Sequence, residues 1–229
     1  KDAAEVIAAK AKELGSPAYK VVQAGAKVLG NNKDGIDFSL EDDYYGDTRF
    51  HIPFIAWYQV MNASLALTTM EVLKDRIPVT MEQLQAGIAN TRWQGRMETI
   101  LPGVIVDGAH NEDGVRRFVE TAERFQKEYP LTLLFSAVND KDYQDMIHTI
   151  CSRIKFRKVV TTEVGGYREV PSAELAEIFC KEGCKDIGNS DNIEEAFHMA
   201  HEAKGEDGML FCVGSLYLVG EIKTLLLKK

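Results

Sequence analysis

The stretch Val104-Ile105-Val106-Asp107-Gly108-Ala109-His110-Asn111 decides the fold of the second half of the chain. Three apolar residues are typical of the end of a buried strand, and the Asp-Gly pair that follows ends it. A helical pattern then covers residues 114–128. Polar side chains therefore stand where a strand gives way to a helix, and ligands bind at that edge of an open α/β sheet.

Beyond residue 96, short apolar segments alternate with amphipathic segments. This alternation predicts right-handed βαβ units and an α/β fold with a Rossmann-like, mostly parallel sheet and helices on both faces. Residues 186–189 are interpreted as a connector rather than a strand. The predicted strands are residues 104–106, 131–138, 158–163 and 209–213, and the predicted helices are residues 114–128, 143–154, 172–181, 193–203 and 215–227.

The first 90 residues follow a different pattern. Helical spacing of apolar residues predicts helices at residues 2–14 and 54–74, the second of them mostly buried. Thr80 and Gln83 resemble a capping box for a helix over residues 81–89. The other predictions are strands at residues 19–23 and 36–40, a turn and loop over 25–35, and a hairpin tip over 41–48.

Residues 90–95 interrupt both patterns and mark the predicted domain boundary. We therefore expect two domains, residues 1–92 and residues 93–229. Arg96 follows this boundary directly, where a fixed guanidinium suits a phosphate or a purine face. Its structural alternative is an ordinary surface arginine.

The composition excludes several classes of protein. A formal net charge of −8 over 229 residues argues against a general nucleic-acid partner, because phosphate binding needs a basic surface. No apolar run reaches the roughly 20 residues that span a bilayer, so no membrane partner is expected. The four cysteines lack CxxC spacing and no signal peptide is visible, which predicts mostly buried, reduced thiols in a cytoplasmic protein.

Four further polar residues are candidates for ligand binding. Asn62 either faces a ligand or joins two helices through hydrogen bonds. Asp107 either holds a ligand or caps the following helix, and His110 is ambiguous by itself. Ser215 lies between a strand and a helix, where it either caps the helix or contacts an anion. The sequence has no GxxxxGK[ST] loop, GxGxxG loop, HExxH motif or paired Cys/His set, so no metal site is predicted.

A series of short motifs in one order carries more information than any single residue. The motifs are AAEVIAAKAKELGSPAYKV at residues 3–21, QVMNASLAL at 59–67, WQGRMETI at 93–100, VIVDGAHNEDGVR at 104–116, FSAVNDKDYQDM at 135–146 and FCVGSLYLVGEI at 211–222. Together they resemble the C-terminal half of folylpolyglutamate synthase/dihydrofolate synthase, in the Mur ligase superfamily. The Asp-Gly-Ala-His-Asn segment is the most diagnostic of these elements.

The resemblance implies an ATP-dependent ligase that adds L-glutamate to a folate or dihydropteroate. In such a ligase the folate carboxylate takes the γ-phosphate of ATP, and the amine of glutamate attacks the acyl phosphate. The motifs assign no catalytic residue. The implied binding residues are Asn62 for the adenine, Arg96 for the phosphates, Asp107 for the ribose, and His110 and Ser215 for the glutamate side, with Asn111 beside them at the helix start.

The resemblance also implies that part of the enzyme precedes residue 1. The family's phosphate-binding loop, magnesium ligands and modified lysine belong there, so residues 1–92 are expected to be the tail of an ATPase domain. We therefore expect ATP and Mg²⁺ as cofactors, a monomer, and no ATP turnover by these 229 residues alone. Tyr58-Gln59 stands for the family's His-Gln and Gln94 for its linker proline, and neither departure removes a proposed ligand.

Three other interpretations are consistent with the sequence. The chain could belong to another Mur-type ligase, one that adds amino acids to a cell-wall nucleotide. It could be a Rossmann-like nucleotide-binding module for redox chemistry, which the missing glycine fingerprint disfavours. It could also be a non-catalytic protein that kept the fold and lost the ATPase.

Overall fold

The computed structural model of the protein describes residues 2–21, 25–32, 34–166 and 169–227. The chain divides into two compact units. The first unit contains Lys1–Pro53 and Tyr58–Asn90, and the second contains Phe54–Trp57 and Thr91–Lys229. None of the helices within the described ranges combines the length and the apolar character that a membrane crossing requires.

The first unit combines a small antiparallel sheet with helices. Its elements are α1 (Ala3–Glu13), β1 (Ala26–Asn32), β2 (Gly35–Leu40), β3 (Phe50–Ile52), most of α2 (Trp57–Val72) and α3 (Met81–Ala89). The central strand β2 pairs with β1 on one side and with β3 on the other. Ile36, Phe38 and Leu40 of β2 are buried while the residues between them are half-buried, as expected of a strand with one covered face. The prediction of a strand over residues 36–40 is confirmed.

Two predictions for the first unit did not describe its backbone. The loop predicted over residues 25–35 is wrong, because Ala26–Asn32 forms the edge strand β1. Backbone hydrogen bonds to β2 hold this strand, and such bonds leave no apolar pattern in the sequence. Residues 19–21 form no strand, and the rest of the strand predicted at residues 19–23 lies outside the described residues.

The helices predicted in the first unit are present. The prediction that the second of them is mostly buried is wrong, because only five of the 16 residues of α2 are buried. At the start of α3, the Gln83 backbone N–H donates to Thr80 Oγ1 at 3.3 Å, and the Thr80 backbone N–H donates to Gln83 Oε1 at 2.8 Å. The capping box expected from the sequence is therefore present.

Tyr45 packs into the core of the first unit. Its side chain is 2% exposed, and its ring meets Phe50 edge-on at a centroid distance of 5.5 Å. The Tyr45 hydroxyl donates to the Leu67 carbonyl oxygen of α2 at 2.7 Å. Burial, together with nearby acidic groups, raises the pKa of Tyr45 to about 12, because the phenolate is disfavoured in this surrounding.

The titration of Tyr45 predicts a loss of stability in alkali. The native protein holds the phenol proton up to a pKa of about 12, above the value of 10.0 in the unfolded chain, so the contribution is complete below pH 10 and is lost as the pH rises to 12. Below pH 10, Tyr45→Phe should lower the free energy of unfolding by roughly 1–3 kcal/mol. Urea unfolding followed by circular dichroism from pH 8 to 12 measures this, and the difference from wild type should shrink above pH 10.

The exposed Tyr19 supplies the matched control for this experiment. Tyr19→Phe should leave the unfolding curve unchanged at every pH. A constant difference between wild type and Tyr45→Phe across pH 8 to 12 would contradict the assignment of the alkaline transition to Tyr45.

The described residues of the second unit form a six-stranded sheet flanked by helices. Its elements are β4 (Glu98–Leu101), β5 (Val104–Asp107), α4 (Glu112–Phe125), β6 (Leu131–Phe135), α5 (Tyr143–Arg153), β7 (Phe156–Thr162), α6 (Ser172–Lys181), β8 (Ile187–Ser190), α7 (Ile193–Lys204), β9 (Met209–Val213) and α8 (Leu216–Leu227). The strand order is β4-β5-β9-β6-β7-β8. Only the pairing of β4 with β5 is antiparallel among these neighbours, so the predicted mostly parallel sheet is confirmed.

Helices cover both faces of this sheet, as predicted. On one face α4 contacts α5 and α5 contacts α6, whereas α7 and α8 contact each other on the opposite face. Phe118 of α4 packs against Phe211 of β9 at a centroid distance of 5.5 Å, while the next residue, Cys212, packs in the cluster with Leu218 of α8. Burial on both faces explains why the central strands read as continuous apolar runs.

The order of the strands indicates a candidate ligand-binding edge in the second unit. The chain passes from β5 through α4 to β6, and β9 later fills the position between these two strands. A sheet whose connections leave in opposite directions has its ligand crevice at that switch point, outside the carboxyl ends of the strands. The residues that follow β5, β9 and β6 therefore form this candidate edge.

Two strands of the second unit were not predicted. The connector predicted at residues 186–189 is wrong, because Ile187–Ser190 forms the edge strand β8, parallel to β7. Neither β8 nor β4 contains a run of buried apolar residues, since both lie at sheet edges and are partly exposed. Backbone pairing to an already formed neighbour creates them, and a single sequence carries no local signal of such pairing.

Candidate functional site

Five of the six predicted binding residues lie in the second unit, at the carboxyl ends of β5 and β9. Asp107 is the last residue of β5 and pairs with Val213, the last residue of β9. Two residues beyond Val213 lies Ser215, at the start of α8. The same edge carries Arg96, which precedes β4, and His110 and Asn111, which follow β5. The sixth residue, Asn62, lies on α2 and belongs to the first unit.

The Asp107 carboxylate is 3% exposed and accepts two backbone hydrogen bonds. Oδ2 accepts from the Met97 N–H and Oδ1 accepts from the Ala109 N–H, both at 2.8 Å. The cap of α4 is a different residue, Asn111, whose Oδ1 accepts from the Gly114 N–H at 2.8 Å. The structural alternative for Asp107, a helix cap, is therefore replaced by a tie between the end of β5 and the segment before β4.

That segment is held to the end of β5 on both sides of Arg96. The Gly108 N–H donates to the Gly95 carbonyl oxygen at 2.8 Å, and the Met97 N–H donates to Asp107 as described above. Gly95 and Met97 both have left-handed backbone angles, with φ of 67° and 46°. For the buried Met97 this conformation is unfavourable, so the surrounding hydrogen bonds must hold it in place.

An ion pair between Glu98 of β4 and Lys223 of α8 supports the same segment. The Gly95 N–H donates to Glu98 Oε2 at 2.7 Å. Lys223 Nζ lies 2.7 Å and 3.0 Å from the two carboxylate oxygens of Glu98. Both charged side chains are about one-quarter exposed, so water screens their attraction only in part. The backbone on both sides of Arg96 is thus tied to β5 and α8 together.

The Arg96 side chain is half-buried. Within the described ranges, no hydrogen bond or ion pair joins its guanidinium to another residue. A planar cation on a restrained backbone, next to the end of β5, is suited to bidentate contact with phosphate or carboxylate oxygens.

The side chain at the start of α8 packs directly against Gly108. A Cβ atom on Gly108 would lie 2.2 Å from Leu216 Cδ2 and 3.3 Å from the Gly95 carbonyl oxygen. Leu216 therefore rests on the peptide that follows Asp107. The contact joins the start of α8 to the loop after β5.

His110 has a defined hydrogen-bonding role. Its Nδ1 lies 2.7 Å from the Gly108 carbonyl oxygen, which can only accept, so Nδ1 carries the proton. In the neutral ring the second nitrogen, Nε2, is then a free acceptor, because the hydrogen bond at Nδ1 selects the tautomer. The ring is half-buried.

The junction between β9 and α8, at Gly214 and Ser215, is tightly packed. Gly214 has φ of 111°, and a Cβ atom there would lie 2.0 Å from the Ser136 carbonyl oxygen. Ser215 is 2% exposed, and its Oγ accepts from the Tyr217 N–H at 3.1 Å. Ser215 is therefore a cap of α8, whose first turn carries no acidic residue.

Ser136 is a residue that the sequence analysis did not single out. It follows β6, is fully buried, and its Oγ has no hydrogen-bond partner among the described residues. A buried hydroxyl without a partner is unfavourable and is found where a ligand or water completes the bonding. A polar residue near the end of the strand predicted over residues 131–138, inside the FSAVNDKD motif, was the signal that could have identified it.

Asn62 forms a side-chain hydrogen bond within its own helix, and this bond does not join two helices. Its side chain is exposed, and its Nδ2 donates to Gln59 Oε1 at 2.8 Å within the same helix. Gln59 is the buried partner, at 4% exposure. The hydrogen bond thus satisfies the buried Gln59 within α2. The role of Asn62 toward a nucleotide stays a prediction.

Among the described residues, no group of three or more His, Cys, Asp or Glu side chains is arranged to hold a metal ion. The residues described at this edge can supply a cation, hydroxyls, an imidazole nitrogen and helix N–H groups.

The sheet and the residues at its edge define the protein as an α/β protein of the Rossmann-like class, with polar side chains at the carboxyl ends of β5 and β9. The same fold is present in Mycobacterium tuberculosis folylpolyglutamate synthase, solved in complex with ADP and AMPPCP, with a TM-score of 0.78 and 22% identity over 97% of this chain and 52% of that chain. It is also present in the bifunctional folylpolyglutamate synthase/dihydrofolate synthase of Yersinia pestis, solved with AMPPNP and a Mn ion, with a TM-score of 0.73 and 19% identity over 97% of this chain and 50% of that chain.

Sequence comparison assigns the family. Residues 95–216 match the Mur ligase glutamate ligase domain. A curated Bacillus subtilis protein named dihydrofolate synthase/folylpolyglutamate synthase is 30% identical over 194 residues, which is 81% of this chain and 43% of that protein. The chain belongs to the Mur ligase family, because the domain match covers more than half of it. It spans less than half the length of the Bacillus relative.

Two glycines of the last β–α unit provide a matched test of the packing at this edge. Gly214→Ala should lower the free energy of unfolding by roughly 3 kcal/mol or more, because its Cβ would collide with a backbone oxygen in a left-handed conformation. Gly220→Ala, on the open side of α8, should raise it by up to about 1 kcal/mol. Urea unfolding of both variants is the measurement. Equal stabilities for the two variants would contradict the close contact at Gly214.

Proposed function

We propose that this chain is part of an ATP-dependent ligase that adds L-glutamate to a folate or to dihydropteroate through an acyl phosphate. The family match carries this proposal, because it covers the segment with Arg96, Asp107, His110 and Ser215 at one sheet edge. The names of the Bacillus and Mycobacterium relatives support the choice of substrates. Residues 93–229 would be the glutamate ligase domain, and residues 1–92 would belong to the ATPase domain.

Arg96 would bind the phosphates of ATP. The proposal rests on its restrained backbone and on a guanidinium that no described residue neutralises. Phosphoryl transfer depends mainly on positioning and on stabilising charge, and a fixed guanidinium contributes to both. The ADP and AMPPCP in the Mycobacterium structure support a nucleotide as the ligand.

Asp107 would contact the ribose while it holds the Arg96 segment. Each of its oxygens accepts a backbone N–H. Its position at the carboxyl end of β5, next to the Arg96 segment, supports a contact with a ribose hydroxyl. The carboxylate then acts twice, once on the ligand and once on the chain.

The glutamate side of the site would be formed by the start of α8 and by His110. The first turn of α8 bears no acidic side chain, so its N–H groups suit the carboxylate of an incoming amino acid. Ser215 holds the helix start in shape, and His110 Nε2 offers one acceptor to an ammonium group. Asn111 would contribute indirectly, through the cap of α4.

The reaction itself would proceed in two displacements. A carboxylate oxygen of the folate bonds to the γ-phosphorus of ATP as the bond to ADP breaks. The amine of glutamate then bonds to the acyl carbon, loses a proton, and phosphate leaves. This chain would bind and orient the groups and offset their charge at Arg96 and the α8 N-terminus.

Mg²⁺ would accompany ATP, supported by the Mn ion with AMPPNP in the Yersinia structure. The described residues offer no carboxylate cluster for a metal, so we propose that Mg²⁺ binds through the phosphate oxygens of ATP and through ligands outside the described residues.

We further propose that the protein is a monomer in the cytoplasm. The four free thiols are usual for a reducing compartment. Light scattering of the purified protein measures the oligomeric state.

The activity test uses the gene product that carries this chain. Incubation with ATP, Mg²⁺, L-glutamate and either dihydropteroate or a reduced folate should release ADP and yield a product heavier by one glutamyl residue, read by mass spectrometry. Productive turnover of a UDP-muramoyl peptide alone would instead identify another Mur-type ligase. Absence of ADP release with every acceptor would identify a non-catalytic member.

The nucleotide role of Arg96 has its own test. Arg96→Ala should weaken AMPPNP binding by about 10-fold to 100-fold, because a charge-assisted contact to phosphate is lost. The matched control is Arg92→Ala, an exposed arginine of the same segment whose guanidinium donates to the neighbouring Thr91 carbonyl oxygen. Isothermal titration calorimetry measures both affinities. An equal loss in the two variants would point to general charge rather than to a positioned guanidinium.

A further inference from the structure

Two cysteines that are far apart in sequence lie next to each other in the second unit, on the side of the sheet that α5 and α6 cover. Cys151 Sγ and Cys184 Sγ lie 3.6 Å apart, and the residues are 33 positions apart in the chain. Cys151 lies near the end of α5, and Cys184 lies between α6 and β8. Both residues are half-buried. The remaining cysteines differ, because Cys180 is exposed and Cys212 is buried.

The end of α6 places Cys184 at this position. The Cys184 N–H donates to the Phe179 carbonyl oxygen at 3.1 Å, and the Gly183 N–H donates to the Cys180 carbonyl oxygen at 3.0 Å. Gly183 has φ of 91°. These features form a Schellman motif, in which the residue after the left-handed glycine turns back against the helix. Cys184 therefore approaches α5 through a defined backbone turn.

We propose that Cys151 and Cys184 form a reversible intramolecular disulfide when the protein meets hydrogen peroxide. The sulfur atoms need to approach by about 1.5 Å to reach the bond length of a disulfide. Cys184 stands on a short loop, so this approach requires little rearrangement of α5. The site is a modification site and does not depend on the proposed ligase function.

The chemistry balances with peroxide as the only oxidant. The Cys184 thiolate attacks one peroxide oxygen, the O–O bond breaks, and hydroxide takes a proton to leave as water. The resulting sulfenic acid is attacked by the Cys151 sulfur, the S–O bond breaks, and a second water leaves with the thiol proton. Two thiols and one peroxide thus yield one disulfide and two waters.

The surroundings of the two thiols differ. They indicate which cysteine attacks the peroxide and which cysteine then attacks the sulfenic acid. The hydrogen bond from Cys151 lowers the pKa of the Cys184 thiol, whereas the hydrogen bond to Cys184 and burial raise the pKa of Cys151. The thiolate is the reactive form, and Cys184 lies on the loop after α6 whereas Cys151 is held within α5, so we assign the first reaction to Cys184. Burial raises the pKa of Cys212, which keeps that thiol unreactive.

Asp107 lies at the carboxyl ends of the parallel strands, whereas the two cysteines lie near the amino ends of β7 and β8. α5 and α6 run back from the carboxyl ends of their strands, so their last turns meet where β7 and β8 begin. A disulfide there would close a loop that contains β7 and α6. Such a cross-link restricts the unfolded chain and should stabilise the second unit.

The test is peptide mapping of the reduced protein after treatment with equimolar hydrogen peroxide and blocking with N-ethylmaleimide. We expect one linked peptide pair with Cys151 and Cys184, lighter by two hydrogen atoms and released by dithiothreitol. The melting temperature should rise by roughly 5 °C and return on reduction. A Cys180–Cys184 link, a dimer linked through Cys180, or complete maleimide labelling of all cysteines after peroxide would overturn the proposal.

Three variants separate the roles of the cysteines. Cys180→Ser should keep both the linked peptide and the rise in melting temperature. Cys151→Ser should stop at a Cys184 sulfenic acid, trapped by dimedone, with no rise in melting temperature. Cys184→Ser should leave Cys151 as a free thiol. Dimedone labelling of Cys151 in that last variant, at the rate seen for Cys184, would contradict the order of attack.

Discussion

The Asp107 carboxylate is the interaction on which the candidate site depends. It ends β5, and its two oxygens hold the backbone at Met97 and Ala109. Because the Met97 backbone is left-handed, the segment around Arg96 would relax to another shape without this support. One buried carboxylate thus sets the direction of the chain on both sides of the strand and fixes the backbone from which Arg96 extends.

Close approach of other groups to the backbone of two glycines is the second constraint at this edge. Gly108 leaves room for Leu216, and Gly214 leaves room for the Ser136 carbonyl oxygen. These contacts bring the ends of β5, β6 and β9 together around the start of α8. Polar groups at three strand ends therefore share one surface, and the hydroxyl of Ser136 is left without a described partner there.

The sequence predicted the elements with strong local signals. Apolar runs located β5, β6, β7 and β9, and helical spacing located the helices between them. The edge strands β1 and β8 were not predicted, because backbone pairing with a neighbouring strand forms them and their own composition does not. For the same reason no local pattern indicated β4, although the motif that contains it was recognised.

The sequence by itself determined the family, the parallel sheet and the polar residues that lie at the ends of β5 and β9, because motifs and apolar periodicity are local properties of the chain. Only the tertiary structure decided what those residues do to one another. It made Asp107 an acceptor for Met97 rather than a helix cap, and it assigned the cap to Asn111. It also brought Cys151 to Cys184. Such contacts join positions distant in sequence, and their geometry follows from packing, which no local pattern records.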